Sequence, residues 1–487
     1  MRITKHPILT FDQKHKIPFT FNEKQIFALD GESIAAALHA NGVNTLSHSL
    51  RYDRPRGFFC GIGKCSSCFM TVDDIPNVRT CIVPVKDHMH VVEQDKIGKL
   101  SNKEFFTQKK QTISSEIVIV GSGPAGMTAA LAAAEQGATS ILLIDENPRP
   151  GGQLIKQTHK FFGSSHEKAG TRGIDIAEGL LNQIQDHPPI HLMSATTVVG
   201  YYHDSNPHRL IAVTRLANGD QLVDIRCKQI IFACGAMENM LVFPGNDLPG
   251  VYGAGGVQTL MNVFGVKPGS RVVMVGAGNV GLIVSYQLLQ AGVEVDCVVE
   301  AMPRIGGYHV HAAKLRRCNV PIYTSYTIKE AYGGDKVKGA IVAKVDDCFK
   351  PIPGTEEDVR CDTICLAVGL TPSIRLLEQA GAQIRFIPEA GGYIALHDST
   401  MQTSIPGVYV AGDASGIEEA STAMIEGQLA GVTAAYALGY KKQKPEELQR
   451  QSKEALQVFR AGPFGKNSRV CKEKIACCCE EGGWTHY

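Results

Sequence analysis

Four cysteines carry the first recognisable chemistry. Cys60, Cys65 and Cys68 stand in the run Cys60-Gly-Ile-Gly-Lys-Cys65-Ser-Ser-Cys68, and Cys81 follows after twelve more residues. The spacing C-x4-C-x2-C…C is the plant-type ligand arrangement for a [2Fe–2S] cluster. Two irons need four converging thiolates, and soft sulfur suits iron. Gly61 and Gly63 let the loop curl tightly, so that its N–H groups can face sulfur. Zinc is one alternative, although zinc fingers use two close Cys pairs, and unliganded thiols are another.

A second set of residues is built on glycine. Gly121-Ser-Gly123-Pro124-Ala125-Gly126 is a G-x-G-x-x-G turn between an apolar run, Ile117 to Val120, and an Ala-rich helical run to Glu135. Gly137 stops the helix, and a second apolar run, Ile141 to Ile144, ends on Asp145 and Glu146. The first glycine makes the tight turn, the second lets backbone approach a pyrophosphate, and the third lets helix pack on strand. The helix N-terminus adds free N–H groups and partial positive charge. Asp145 stands about 20 residues on, where an acid can accept from a ribose hydroxyl. A plain glycine turn is the alternative to a dinucleotide site.

The pattern recurs. Gly276-Ala-Gly278-Asn279-Val280-Gly281 opens a second helical run, and Glu300 closes its second strand. The offsets 276 − 121 and 300 − 145 are both 155, and Pro148-Arg149-Pro-Gly151-Gly152 matches Pro303-Arg304-Ile-Gly306-Gly307 at the same distance. Repetition of this kind predicts two related nucleotide-binding domains. Glu300 accepts from a ribose 2′-hydroxyl and repels a 2′-phosphate, so the second module is expected to prefer NAD(H) to NADP(H). Arg304 nearby works against that preference. A retained fold holding a structural nucleotide, or none, is the other reading.

These residues need elements to position them. Residues 1 to about 100 predict a small, mostly β unit, with a hairpin over Ile17 to Phe21 and Gln25 to Ala28 and one short helix stopped near Gly42. Residues 101–115 are polar and predict a linker. Far downstream, a strand over Val408 to Ala411 delivers Gly412 and Asp413 to a loop, and an Ala-rich helix from about Glu418 to Leu438 follows. Asp413 is either a cofactor contact or a turn residue capping that helix. Lys441 to Arg450 is charged and helical. The tail with Cys471, Cys477, Cys478 and Cys479 predicts a mobile thiol-rich end, with a metal-ligand role as the alternative. The expected divisions are 1–110, 111–250, 251–372, 373–440 and 441–487.

Composition narrows the field. A net charge of +1 over 487 residues gives no basic field for nucleic acid or an anionic membrane. The N-terminus lacks the apolar core of a signal peptide, and no apolar run approaches a membrane span of about 18 residues. Fifteen cysteines without a secretory signal point to a reducing, cytoplasmic setting.

Residues 60–81 and their flanks resemble the ferredoxin-like [2Fe–2S] family. The glycine motifs, with the late Gly412-Asp413, resemble flavoproteins with two dinucleotide-binding domains and a thioredoxin-reductase-like layout. That resemblance implies an α/β fold with two Rossmann-like domains and a β-grasp ferredoxin-like domain. It implies FAD at Gly121, Gly123, Pro124, Ala125, Gly126, Asp145, Glu146, Gly152, Gln153, Gly235, Gly412 and Asp413. It implies a nicotinamide nucleotide at Gly276, Gly278, Asn279, Val280, Gly281 and Glu300. Disulfide reductases of this layout need a Cys pair beside the flavin; Gln258-Thr-Leu-Met-Asn262 and Gly152 to His159 contain none, and Cys234 reads as a small buried residue.

From about residue 15 to 465, with Arg54-Pro-Arg-Gly57, Pro150-Gly-Gly-Gln153 and Gly416 to Glu426, the chain resembles the α subunits of heteromeric amino- and imino-acid dehydrogenases. Sarcosine oxidase, opine oxidase, dye-linked proline dehydrogenase and hydrogen cyanide synthase belong to that group. In sarcosine oxidase α subunits the cluster cysteines are absent; here all four stand, which favours a dehydrogenase over an O₂-using oxidase. The resemblance implies a flavin-bearing β subunit that oxidises the amine, FMN at a subunit interface, and a small iron–sulfur or other electron carrier as a further partner. The alternatives are a self-contained NADH:acceptor reductase and a nucleotide-holding assembly subunit without catalysis of its own. No residue can be assigned to a substrate side-chain pocket, and the catalytic residues stay unassigned.

Overall fold

The computed structural model describes residues 1–481 except 12–14, 95, 100–109, 162–167, 203–206 and 217–218. The chain forms two compact units. One comprises Met1–Glu104 with Glu238–Gly369, and the other Phe105–Met237 with Leu370–Tyr487.

In the first unit the N-terminal segment builds a five-stranded sheet in the order Lys24–Leu29, Lys16–Phe21, His90–Glu93, Phe69–Val72, Ile75–Arg79. Lys16–Phe21 runs antiparallel to its hairpin partner and parallel to His90–Glu93. The helix Ile34–Ala40 is capped by the Ser33 hydroxyl, which accepts from the Ala36 N–H, and buries every residue from Ile34 to His39. A helix of small apolar residues can lie this deep without leaving voids.

The inserted segment of the same unit carries a parallel five-stranded sheet. Its order is Val251–Gly253, Thr363–Leu366, Arg271–Val275, Glu294–Glu300, Ile322–Thr324. The inner strands Arg271–Val275 and Thr363–Leu366 are near-continuous apolar runs, as strands covered on both faces must be. A three-stranded antiparallel sheet, Tyr326–Gly333, Val337–Lys344 and Glu357–Val359, stands beside it. The two segments share one core, with Ile34, Leu38, Phe58 and Met70 packed with Val257, Leu260, Met261 and Val272.

The second unit is built on a seven-stranded sheet. Ile190–Met193, Ile141–Ile144, Gln111–Val120, Gly219–Phe232 and Val408–Val410 are parallel, and His208–Leu216 and Thr196–Tyr202 continue antiparallel. The linker expected over 101–115 is corrected in its last five residues: the first strand starts at Gln111, and Gln111 to Ser115 pair with Val223 to Cys227. Residues 101–109 lie outside the described residues. The helices Pro124–Glu135 and Ala420–Ala437 pack backbone to backbone, because a Cβ on Gly427 or Gly431 would overlap the carbonyls of Ala125 or Ala129. This is the physical reason for the run of small residues in both.

The mobile thiol-rich end is also corrected. Pro445–Ala461 and Lys466–Glu481 are helices. Cys471, Ile475 and Cys479 recur every four residues, fall on one face, and pack on Ile387, Ala390, Ile394 and Leu396. Among the described residues no helix is long and apolar enough to cross a membrane.

Candidate functional site

Cys60, Cys68 and Cys81 are buried and Cys65 is half-buried, all in the first unit. Their thiols hydrogen-bond in a string, Cys65 with Cys60, Cys60 with Cys81, and Cys81 with Cys68. Those bonds push the Cys60 and Cys68 thiols down and the Cys65 and Cys81 thiols up. The N–H groups of Ile62 and Gly63 donate to the sulfurs of Cys60 at 3.5 Å and Cys81 at 3.3 Å. Gly61 and Gly63, at φ of 64° and 73°, make this inward turn possible. Among the described residues no three His, Cys, Asp or Glu side chains converge on a single metal ion. Four cysteines brought together in this way match the ligand number of a [2Fe–2S] cluster.

The loop carrying these thiols is seated on the insert. The Phe59 carbonyl accepts from the Gly253 N–H at 3.2 Å. Gly256 lies directly beneath: a Cβ there would overlap that same carbonyl and come within 3.2 Å of the Cys60 carbonyl carbon. Gly57 and Gly61 approach less closely: a Cβ on either would stand 2.9 Å from Pro249 Cα or 3.0 Å from Thr259 Cβ. His39 places Nε2 3.2 Å from the carbonyls of both Lys267 and Pro268, and burial pushes it down to about 4, so it sits neutral. None of these insert residues stands out in the sequence.

The two glycine turns have the same geometry. Gly121 and Gly276 take φ of 108° and 105°. A Cβ on either would overlap a carbonyl, of Ala233 or Ala367, and a Cβ on Gly126 or Gly281 would overlap the carbonyl of Gly121 or Gly276. Gly123 and Gly278 differ: nothing lies within 4 Å of a Cβ on Gly278, and only Gly152 Cα, at 3.9 Å, near one on Gly123. These are the glycines expected to face a pyrophosphate, and the protein leaves that space open. The helices that follow, Pro124–Glu135 and Asn279–Gln290, are again displaced by 155, since 279 − 124 and 290 − 135 agree.

Both acids are held by their own modules. Asp145 is buried; its Oδ2 accepts from the Ser122 N–H and hydroxyl at 2.7 Å each, and its Oδ1 from the Asn147 N–H at 2.8 Å. Glu300 accepts from the Ala277 N–H at 2.8 Å and the Met302 N–H at 2.9 Å. This fixes each carboxylate at the tip of its strand. Glu300 carries one such bond on each oxygen, whereas Asp145 Oδ1 also accepts from the Asn147 side-chain amide at 3.2 Å, the long bond that a ribose hydroxyl would replace. Glu146 is half-buried and Gln153 exposed. Asn279 accepts from the Tyr308 N–H at 2.8 Å, and Val280 is exposed at the first turn of its helix. Gly152 takes φ of 54° and packs on Gly123, and Gly235 takes φ of 63° with open space beside it. Cys234 is half-buried, less enclosed than the sequence suggests.

Gly412, at φ of 69°, begins the 3-10 turn Gly412–Ser415 against Ala125 of the first glycine helix. Asp413 keeps part of its surface open, yet burial pushes its carboxyl up to about 7, with Glu426 and Glu418 adding to the rise. Nothing in the sequence marks Glu426 for a role. Its Oε2 accepts from the Gly412 N–H at 3.0 Å and the Ser415 hydroxyl at 2.7 Å, so it staples both ends of this turn.

A profile described as pyridine nucleotide-disulphide oxidoreductase matches residues 115–427. The chain belongs to this family. A second profile, the 2Fe-2S iron-sulfur cluster binding domain, matches residues 14–96 of this oxidoreductase. The chain is 25% identical to the alpha subunit of sarcosine oxidase from Corynebacterium sp. (strain P-1) over 467 residues, 91% of this chain and 46% of that one. It is 27% identical to an opine oxidase subunit of Rhizobium meliloti over 343 residues, 66% of this chain and 63% of that one. The chain thus spans about half the length of the sarcosine oxidase subunits it matches. L-proline dehydrogenase from P. horikoshii superposes with a TM-score of 0.70 at 25% identity, covering 92% of this chain and 79% of that one. Thioredoxin reductase of T. acidophilum, at 21% identity and a TM-score of 0.54, shares the fold over 67% of this chain and 99% of its own. The family profile, with these relatives, makes the chain an FAD-dependent oxidoreductase with FAD- and NAD(P)-type folds and an iron–sulfur domain. Among the described residues no disulfide joins any of its fifteen cysteines.

Proposed function

We propose that the chain is the electron-transfer flavoprotein component of an amino- or imino-acid dehydrogenase complex of the proline, sarcosine or opine type. In this reading it moves electrons between a flavin on a partner subunit, its own [2Fe–2S] cluster, FAD and NAD or another acceptor. The observation that carries the reading is the cysteine loop seated on the inserted nucleotide module through Phe59, Gly253 and Gly256. A one-electron carrier packed onto a nucleotide-binding fold is the arrangement that electron relay requires. The names of the relatives, subunits of sarcosine and opine oxidases, supply the substrate class.

Each side chain then has a task. Cys60, Cys65, Cys68 and Cys81 hold the cluster, with the Ile62 and Gly63 N–H groups stabilising sulfur charge. Gly121, Gly123 and Gly126 admit the FAD pyrophosphate to the N-terminus of Pro124–Glu135, Asp145 accepts from its ribose, and Asp413 faces its ribityl or pyrophosphate region. FAD supplies the two-electron to one-electron conversion, and the protein supplies orientation and electrostatics. Gly276, Gly278, Gly281 and Glu300 hold NAD(H), with Glu300 excluding a 2′-phosphate. FMN at a subunit interface and the division at residues 110, 250, 372 and 440 complete the proposal. The insert exposes Met240, Val242, Met302 and Val310, with Val242 at 91%, as apolar surface for a partner subunit to cover.

Anaerobic mixing with each nucleotide, followed at the flavin absorbance band, tests the assignment. Faster bleaching by NADH than by NADPH is expected. Faster bleaching by NADPH overturns the role of Glu300, and bleaching by neither leaves a structural nucleotide or an empty fold.

A further inference from the structure

The two C-terminal helices lie beyond the matched family profile, yet both reach into the turn that begins at Gly412. Arg460, near the end of Pro445–Ala461, places Nη2 2.8 Å from Glu418 Oε1 and 2.7 Å from Glu426 Oε1. Lys472, in Lys466–Glu481, places Nζ 2.9 Å from Glu426 Oε1, 3.1 Å from the Ser415 carbonyl and 3.0 Å from its hydroxyl. His397 Nε2 lies 3.4 Å from the same ammonium. Glu426 is 2% exposed. A carboxylate that deep is tolerated only when paired, and removing one partner leaves a buried uncompensated charge.

The order of connections matters. The other oxygen of Glu426 holds the Gly412 N–H and the Ser415 hydroxyl, the two ends of the turn that displays Asp413. Burial opposes the charge on Glu426, and Lys472 and Arg460 overcome it, holding the carboxyl down at about 2. Cys471 Sγ lies 3.3 Å from where a Cβ on Gly416 would stand, so the helix also packs on the residue that closes the turn. Cys471, Ile475 and Cys479 anchor this helix.

We propose that Lys472, assisted by Arg460, is a positioning residue for FAD. It keeps Glu426 ionised and thereby fixes the Gly412–Ser415 turn in the shape that presents the Gly412 backbone and Asp413 to the cofactor. The inference rests on the assignment of FAD to this unit. It gives the C-terminal helices a role in flavin binding rather than in metal binding.

The test is FAD titration of apoprotein of the full chain, with far-UV circular dichroism and apoprotein melting alongside. Lys472→Met is expected to raise the FAD dissociation constant at least tenfold, about 1.4 kcal/mol. Lys472→Arg, which keeps the charge, is expected to stay within about threefold of the parent, because rescue by charge is what the proposal requires. Ser415→Ala, a small change that removes the hydroxyl between Glu426 and Lys472, is expected to weaken FAD several-fold and carries the test if Lys472→Met does not fold. Parental FAD affinity in folded Lys472→Met, or in Ser415→Ala, overturns the proposal. Equal loss of FAD and of apoprotein melting temperature in Lys472→Met and Lys472→Arg also overturns it, by making the role one of packing. A parent chain that binds no FAD overturns the cofactor assignment itself, and this inference with it.

Discussion

Gly256→Ala gives opposite answers depending on whether the cysteine loop is seated on the insert. Gly256 lies within the helical turn Ala254–Gln258. Helix propensity alone makes Ala the better residue, by about 1 kcal/mol. The structure says otherwise, because the new methyl would overlap the Phe59 carbonyl, and backbone atoms cannot swing aside as a flexible side chain would. Forcing a methyl into a packed site costs about 1–3 kcal/mol. If the loop lifts to make room, the Gly253 N–H loses its acceptor, and an unsatisfied buried donor costs a further ~1–3 kcal/mol. The net expectation is a loss of about 1–5 kcal/mol, and a middle value of ~3 lowers a melting midpoint by roughly 6–12 °C in a unit of this size. The chain has two units, so the transition should be followed with a local probe, the visible circular dichroism of the iron–sulfur centre. Gly179→Ala is the control: it lies in the helix Gly173–Gln185 with nothing within 4 Å of a new Cβ, and should stabilise by up to about 1 kcal/mol. An unchanged or raised cluster melting midpoint in Gly256→Ala would refute the seating of the loop.

Three further outcomes are expected. Cys65→Ala should abolish the visible iron–sulfur bands while FAD content stays at the parental level; zinc in place of iron in the purified parent, or a cluster retained in the variant, contradicts the ligand assignment. Gly123→Val should give FAD-depleted protein that is still folded, because the space beside Gly123 is open in the protein and would be closed only to a ligand; normal flavin content would sink the assignment. His39 is held down to about 4, chiefly by burial, against an unfolded value of 6.5, so below 6.5 the unfolded chain takes up a proton that the folded chain refuses. Its contribution to stability is therefore intact above about 6.5 and lost as pH falls toward 4, at up to ~1.4 kcal/mol per unit. His39→Gln should flatten that part of the pH–stability curve, measured by cluster-reported melting, and an unchanged slope contradicts the buried neutral histidine.

The elements around the glycine motifs were legible because short-range chemistry dictates them. Ile141 to Ile144 is a strand at the expected residues, and Pro124 and Gly137 bracket the first helix as their backbone preferences require. Polar residues hid the start of Gln111–Val120: Thr112 and Ser114 look like linker, but they extend a strand whose early residues stay partly in solvent. Three adjacent thiols disguised the face formed by Cys471, Ile475 and Cys479. The network of His397, Ser415, Glu426, Arg460 and Lys472 joins residues up to 75 positions apart, and no local pattern encodes it. The seat of the cysteine loop on Gly253 and Gly256 likewise depends on folding distant segments together, a constraint visible only where a Cβ has no room.

The central claim is that this chain relays electrons and leaves amine oxidation to a partner subunit. It is tested most directly by purifying the chain alone with its cofactors and assaying an artificial dye as acceptor. Dye reduction should proceed with NADH and should not proceed with proline, sarcosine or opines. Turnover of any of these amines by the isolated chain at rates typical of enzymes, ~1–10³ per second, would contradict the account.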